Sequence, residues 1–399
     1  MVELSALIME LGNILTFVIV VLALNLMAGY AGIPNFGMSV FVYTGAFVVG
    51  ALSVRFALLL LTVLDPATLE SLLGKPQYKP YVGDMSLIEI ILYKTMEPTI
   101  NRTLIPELGA IIGQNLVLAI AVLLFTFSVA LVLGVFVGII SSYAAVRLRE
   151  DYLAIALLAF SEMMVQVFFA QTDTIAGGRY AIYAPNMWPS AFSSAASALP
   201  LGVKPELILG LILAIGIALA TYLYAERIAN SPMGRALRAM RDDEFVLAIY
   251  GRNIPAMRLR VMMIGGALAA LAGVVYAMSF QPVVKASDYS RLTWTFIPWA
   301  MMIIGGMANN LGVVLGAVAI YAGRKTLEFA LPPLFDVLKG LGIGPEAAAV
   351  DLIRAVAPNI FVGVLILLML YLRPKGLIEE KPGQTLGRKL KELIERLSR

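Results

Sequence analysis

The chain has 399 residues, 60% of them hydrophobic and only 14% charged, whereas soluble domains carry about 25% charged residues. That composition excludes an ordinary soluble globule, and the absence of Cys and His excludes disulfide frameworks, thiolate metal sites and membrane enzymes built on His clusters. The net charge of +4 reports orientation in a bilayer, because Lys and Arg gather in cytoplasmic loops, and it calls for no nucleic-acid partner.

Apolar runs near 11–29, 36–64, 110–143, 152–171, 205–225, 261–280, 294–308, 311–331 and 349–372 predict an all-α, polytopic membrane bundle of roughly 8–10 spans. The runs are continuous and do not alternate, which argues against a transmembrane barrel. The N-terminal stretch MVELSALIMELGN contains Glu3 and Glu10 but no Lys or Arg. It lacks the basic region of a cleavable signal peptide, so the first span is expected to be retained. Residues 1–380 are expected to form one transmembrane domain, and 381–399 a cytoplasmic tail.

Two long external segments follow from the run positions. Residues 65–109 are polar and carry Pro, and their stretch SLIEIILYKTM is expected to lie flat on the outer surface. Residues 172–204, rich in Ser, Ala and Pro, read as plain loop. Between them, Arg147 and Arg149 mark a basic loop. The next span carries Glu162 near its midpoint, with Gln166 one turn along. A charge at the bilayer centre costs about 2.5–3.5 kcal/mol on insertion scales. Glu162 therefore reads either as a pathway residue meeting a substrate ammonium or as the partner of an Arg on a neighbouring helix.

From Ser231 to Arg260 the chain reads SPMGRALRAMRDDEFVLAIYGRNIPAMRLR. A charged block between two apolar runs cannot sit in lipid and must lie on the water side. Ser231 as N-cap and Pro232 at the first position predict a helix start. Gly251 and Pro255 predict its end. Met233, Leu237 and Met240 form a narrow apolar stripe, and Arg238 with Asp242 has the spacing of an intrahelical pair. This helix, near 231–251, reads as a docking helix for a soluble subunit or as a salt-bridged loop helix.

Further along, Gly134 with Gly138, Ala269 with Gly273, and Gly312 with Gly316 are small-residue pairs that let helices approach closely in lipid. Gly29-Tyr30-Ala31-Gly32 with Asn35, Gly37 and Gly45-Ala46, and Gly305-Gly306 with Asn309-Asn310, Gly312 and Gly316-Ala317, form a weak internal echo. Gly-interrupted spans at corresponding positions point to a repeat with a pathway at its interface. The expected pathway residues are thus Asn25, Glu162, Gln166, Gly305 and Gly306. Arg324, Lys325 and Glu328 read as the end of a span. Gly323-Arg324-Lys325-Thr326 lacks the glycines of a phosphate loop, so no nucleotide site, catalytic residue or metal site is expected on this chain. The tail after Leu372 is basic, and Leu386, Leu390, Leu393 and Leu397 give it the pattern of an amphipathic helix. Placing all the Arg-rich segments on one side makes that side the cytoplasm.

Several motifs in one order resemble a family. These are SPMGRALRAMRDDE with Gly251 seven residues after Glu244, Asn25-Leu26 through Gly29-Tyr30-Ala31-Gly32 to Phe36-Gly37, and Val146 through Ile155 around Arg147 and Arg149. They continue with Gly265 to Tyr276, Ile304-Gly305-Gly306-Met307, Leu315-Gly316-Ala317, and Leu372-Arg373-Pro374-Lys375-Gly376-Leu377. Together they resemble the permeases of branched-chain amino acid ABC transporters, and the arginine motif with the Arg-Pro-Lys-Gly-Leu ending resembles the M-type of the two paired permeases. The resemblance implies an ATPase-docking segment of Arg235, Leu237, Arg238, Met240, Arg241, Glu244, Val246, Leu247, Ala248, Gly251, Asn253, Ile254 and Arg258. It implies cytoplasmic ATPase subunits that hold ATP and Mg²⁺, a second permease, an extracytoplasmic solute-binding protein, and a multi-pass location in a prokaryotic plasma membrane. Met38 stands where that family usually has His. An ion-coupled secondary transporter and an integral-membrane enzyme remain the alternative readings at this point.

Overall fold

The computed structural model describes residues 2–78, 89–91, 95–148, 150–169, 181–198, 202–340 and 347–380. Within them the chain is almost wholly helical. The first helix, α1 (Val2–Leu24), widens into a π turn at Asn25–Tyr30. Residues 31–37 break the helix, with Gly32 at φ 70° and Pro34 lacking an amide donor. Asn35 Oδ1 accepts from the Gly37 amide at 2.8 Å, and the chain re-enters as α2 (Met38–Phe47), a π turn and α3 (Ser53–Leu64).

Next come α4 (Pro66–Leu73), α5 (Pro98–Gln114) and α6 (Leu116–Arg147). The expected run 110–143 straddles a real boundary. Asn115 leaves helical geometry and its side chain caps α6 by accepting from the amides of Val117 and Leu118. Then follow α7 (Glu150–Glu162) with its π extension to Phe169, α8 (Ser190–Ser197) and α9 (Pro205–Asn230). The basic block holds α10 (Pro232–Asp242) and α11 (Glu244–Ile249). The last group is α12 (Ile254–Val275) with a π turn to Phe280, a π turn at Leu292–Phe296 leading into α13 (Ile297–Gly305), α14 (Asn310–Gly340) and α15 (Ala347–Leu372).

Among the described residues, five helices are long and apolar enough to cross a membrane: Leu4–Tyr30, Met38–Leu64, Leu116–Arg147, Pro205–Asn230 and Ile254–Phe280. At 1.5 Å per residue a 27-residue helix reaches about 40 Å, more than the ~30 Å hydrocarbon core. The other expected runs also fall on helices, but with interruptions. The run 294–308 is cut at Gly305. The run 311–331 lies in α14, which carries Arg324, Lys325 and Glu328 and contains Pro332 and Pro333. Those charges do not end the helix; Lys325 pairs with Glu328 at 2.8 Å and with Glu10 of α1 at 3.3 Å. Residues 65–109 are not a bare external loop: Leu69, Leu72, Ile100, Leu104 and Leu108 are buried. The stretch SLIEIILYKTM, expected to lie flat on the outer surface, is described only at 89–91 and 95–96, where Ile90, Ile91 and Met96 are buried; the amphipathic tail lies outside the described residues. Residues 172–204 contribute a two-residue strand, β1 (Ile182–Tyr183), antiparallel to β2 (Val283–Val284).

The core sits where α12 lies against α2, α6 and α1. Small residues make that approach possible. A Cβ on Gly273 would meet the Val42 carbonyl at 1.9 Å, and one on Gly45 would meet the Ala270 carbonyl at 1.9 Å. Gly134 and Gly138 do the same on the α6 side, against Gly266 and Met262. Lipid offers no hydrophobic drive between helices, so this close packing carries much of the association. Gly273→Val is expected to cost about 1–3 kcal/mol or more through overpacking. The measurement is the yield of monodisperse protein after detergent extraction, which should fall sharply; an unchanged yield would mean that the α2–α12 contact is dispensable.

Candidate functional site at the basic end of the bundle

The arginine-bearing segments meet at one end. Arg258 of α12 donates to the Ala145 carbonyl at the end of α6 and pairs with Glu244 of α11. Arg241 of α10 donates to the Gly29 carbonyl at 2.8 Å and pairs with Glu380 at 2.8 Å. Arg238 donates to the Ala229 carbonyl at 3.0 Å, pairs with Glu380 at 3.2 Å and lies over the Tyr30 ring at 5.2 Å. The expected Arg238–Asp242 pair does not form; Asp242 pairs instead with Arg241 at 3.2 Å. Partial burial opposes the charge on Arg241, but the bonds to Glu380 and Asp242 more than offset it and raise its pKa above the ordinary guanidinium value.

The block is two helices, not one. Ser231 caps α10, its Oγ accepting from Gly234 at 3.3 Å. The chain then leaves helical geometry at Asp243 (φ −159°), whose side chain accepts from the Val246 amide at 3.0 Å and starts α11. Asn253 caps α12 in the same way, accepting from Ala256 at 3.0 Å.

This break decides which residues face outward. Leu237 and Met240, the expected docking stripe, are each 1% exposed and pack into the chain's own core. They anchor α10 to the bundle and offer no surface to a partner. The outward apolar face belongs to α11 and the turn after it, where Phe245 is 75%, Ile249 70% and Tyr250 80% exposed. Val246 and Ala248 are exposed, as are Arg235, Gly251 and Asn253; Leu247 alone of α11 is buried. A cavity of 380 Å³ opens beside this face, between Val146, Phe245, Ala248, Ile254 and Arg258. Phe245 and Tyr250 were missed in the sequence, although Asp243 three residues before Val246 carries the spacing of an N-cap.

The segment after α15 forms a clasp. The amides of Leu377 and Ile378 donate to the carbonyls of Ile304 (2.8 Å) and Gly305 (3.1 Å). Gly306 sits at φ 110°, and a Cβ there would meet the Ile378 carbonyl at 2.1 Å. Asn309 Nδ2 donates to the Glu379 carbonyl at 2.7 Å. Glu380 then reaches α10. One strap thus ties the turn between α13 and α14 to the basic helix.

Asn25, Gly305 and Gly306, expected on the pathway, are buried in this junction. Asn25 Nδ2 donates to Asn310 Oδ1 at 3.0 Å, its Oδ1 accepts from the Ala308 amide at 2.9 Å, and Asn310 donates to Glu226 at 2.9 Å. The widened π turn makes room for that amide; a Cβ on Gly29 would lie 2.1 Å from Asn25 Oδ1. The helix breaks at 31–37 and 306–309 share this end of the bundle. A 370 Å³ recess beside the first is lined by Gly32, Phe36, Asp151, Arg241, Trp299 and Met307.

Glu162, half-buried at the end of α7, has no hydrogen-bond or ion-pair partner among the described residues. Gln166 donates to the Ala286 carbonyl at 3.4 Å. The neighbouring Ser161 makes the firmer link: its Oγ lies 2.5 Å from Ser39 Oγ and accepts from the Val40 amide at 3.1 Å. These bonds hold the start of α2 beside α7.

A family model described as the permease component of branched-chain amino acid transport systems matches residues 7–370. The chain is 34% identical to the "Probable branched-chain amino acid transport permease protein LivM" of Methanocaldococcus jannaschii, over 92% of this chain and 91% of that protein. It is 25% identical to the "High-affinity branched-chain amino acid transport system permease protein LivM" of Escherichia coli and 26% identical to its Salmonella typhimurium counterpart, each over 48% of both chains. No solved structure matches the chain.

Proposed function

The chain belongs to the family of branched-chain amino acid transport permeases, and on that premise we propose that it is the membrane-spanning subunit of an ATP-driven importer. The solute is a branched-chain amino acid or a related small polar molecule. ATP and Mg²⁺ are held by separate cytoplasmic ATPase subunits, which seat against the exposed face of α11. A second permease completes the translocation unit, and an extracytoplasmic binding protein delivers the solute. The basic end of the bundle faces the cytoplasm of a prokaryotic cell, in keeping with the positive-inside rule.

The observation that carries this reading is the placement of Phe245, Ile249 and Tyr250. An apolar face this exposed on a short helix outside the membrane spans marks an interaction surface. The helix is held to the bundle by Glu244–Arg258 and, through α10, by the Glu380 clasp. A push on α11 therefore has a path into the spans. Co-expression with the ATPase subunits tests the reading. The expected outcome is a stable complex with ATPase on the side where Ser231→Cys resists an impermeant maleimide in intact cells; labelling of that Cys from outside would overturn the orientation.

Glu162 is the chain's candidate for meeting a substrate ammonium. Glu162→Gln is expected to slow uptake at an unchanged protein level in the membrane. If Glu162 instead neutralises a buried cation, the same change strands that charge and lowers the folded yield. Normal uptake at normal level would remove it from both roles.

A further inference from the structure

Away from the cytoplasmic junction, α6, α9 and α12 leave a groove between them. Its volume is 580 Å³, and its walls are apolar: Leu131 and Val135 from α6, Ile217 from α9, and Ile264, Leu268 and Leu271 from α12. Ala220, Ala267 and Thr221, all short side chains, give the recess its depth. All three helices are long and apolar enough to span a bilayer, so the groove opens within the hydrocarbon region. A second compartment of 430 Å³ shares Ala220 and Tyr224 with it and runs past Leu223 to Arg227. The two make one channel-like depression, apolar at depth and cationic at the basic end of the bundle.

A second arginine stands at the same level. Met263 lines the groove, and Arg260 lies one turn before it on α12. Arg227 lies one turn beyond Tyr224 on α9. The two helices run in opposite directions, so both arginines sit one turn past the groove toward the basic end. Both are exposed, and neither has an ion-pair partner among the described residues. The nearby acids are engaged: Glu226 accepts from Asn310 and Asn230, and Glu244 holds Arg258.

We propose that this groove is a binding site for an anionic phospholipid of the cytoplasmic leaflet, with an acyl chain between α9 and α12 and the phosphate between Arg227 and Arg260. The chemistry favours this occupant over the others. A groove in hydrocarbon is filled by a chain, and two unneutralised cations at its mouth select a net-negative headgroup over a zwitterionic one. Basic recesses between spans on the cytoplasmic side recognise acidic lipid headgroups in this way. The site is separate from α11 and from Glu162, and it stands whether or not the transported solute is an amino acid.

Native mass spectrometry of the full-length permease tests the assignment, with phosphatidylglycerol and phosphatidylcholine of matched chains as probes. Each arginine near the headgroup is worth about 1 kcal/mol toward an anionic lipid, so the wild type is expected to prefer phosphatidylglycerol by roughly 30-fold. Arg227→Gln with Arg260→Gln should reduce that preference to near unity and leave phosphatidylcholine binding as it was. Ala220→Phe, which fills the junction of the two compartments, should weaken both lipids. Equal retention of the two lipids by the wild type, or an unchanged preference in the arginine double variant, overturns the proposal. So does a photo-crosslinker at Ala220 that captures the second permease subunit, which would make the groove a protein interface.

Discussion

Asp at both Phe245 and Tyr250 is expected to detach the ATPase subunits while leaving the permease folded. These side chains are 75% and 80% exposed, so the isolated chain loses little when they change. In the proposed complex they would become buried aromatic anchors. Loss of such an anchor costs about 2 kcal/mol or more, roughly 30-fold in affinity for each residue. The double change should abolish co-purification of the ATPase and, with it, substrate-stimulated hydrolysis. Leu237→Asp provides the contrast. Leu237 is 1% exposed, so a carboxylate there strikes the chain's own core and should lower the yield of folded protein before any partner is added. A Phe245/Tyr250 variant that still binds its ATPase and hydrolyses normally would place docking elsewhere.

Glu380→Lys is expected to uncouple without disassembling. Among the described residues Glu380 is the one acid that meets both Arg238 and Arg241, and the backbone just before it is bonded to Ile304, Gly305 and Asn309. The strap therefore joins the basic helix to the turn between α13 and α14. Reversing the charge repels α10 and frees the strap. The α11 face is untouched, so the ATPase should still bind and show its basal rate. Stimulation by loaded binding protein should fall by about fivefold or more, the lower range of coupling energies between linked sites. Measuring basal and stimulated hydrolysis on one preparation separates the two effects. Equal stimulation in the variant and the wild type would show that the strap carries no coupling.

Much of the architecture was legible because bilayer physics leaves a plain mark. Runs of apolar residues locate the helices, and Ser231-Pro232 marks a helix start that the structure keeps. The rest was hidden for identifiable reasons. The Leu237–Met240 stripe is apolar, but apolarity does not say whether the buried face meets the chain itself or a partner. Asp243 looked like one more charge in a helix, yet its extended backbone and its bond to Val246 split the block and turn Phe245 outward. The Glu380 contacts and the Asn25–Asn310 bond join residues more than a hundred positions apart, and no local pattern announces such pairs. Asn25, Gly305 and Gly306 stand out in the sequence, but glycines that suggest a pathway also permit a tight crossing, and local pattern does not separate the two. The boundary at Asn115 was blurred because apolar residues stand on both sides of it, Ile111 and Ile112 before and Leu116 to Leu118 after.

On the proposed function, movement of solute through this chain is driven by ATP hydrolysed on another. The most direct test is reconstitution of the permease, its paired permease and the ATPase subunits in proteoliposomes, with ATP and Mg²⁺ sealed inside and binding protein loaded with radiolabelled leucine outside. Accumulation of leucine that requires both internal ATP and the ATPase subunits, and that is lost in the Phe245/Tyr250 double variant, is the expected result. Accumulation driven by a Na⁺ or proton gradient, with no ATPase present, would contradict the account.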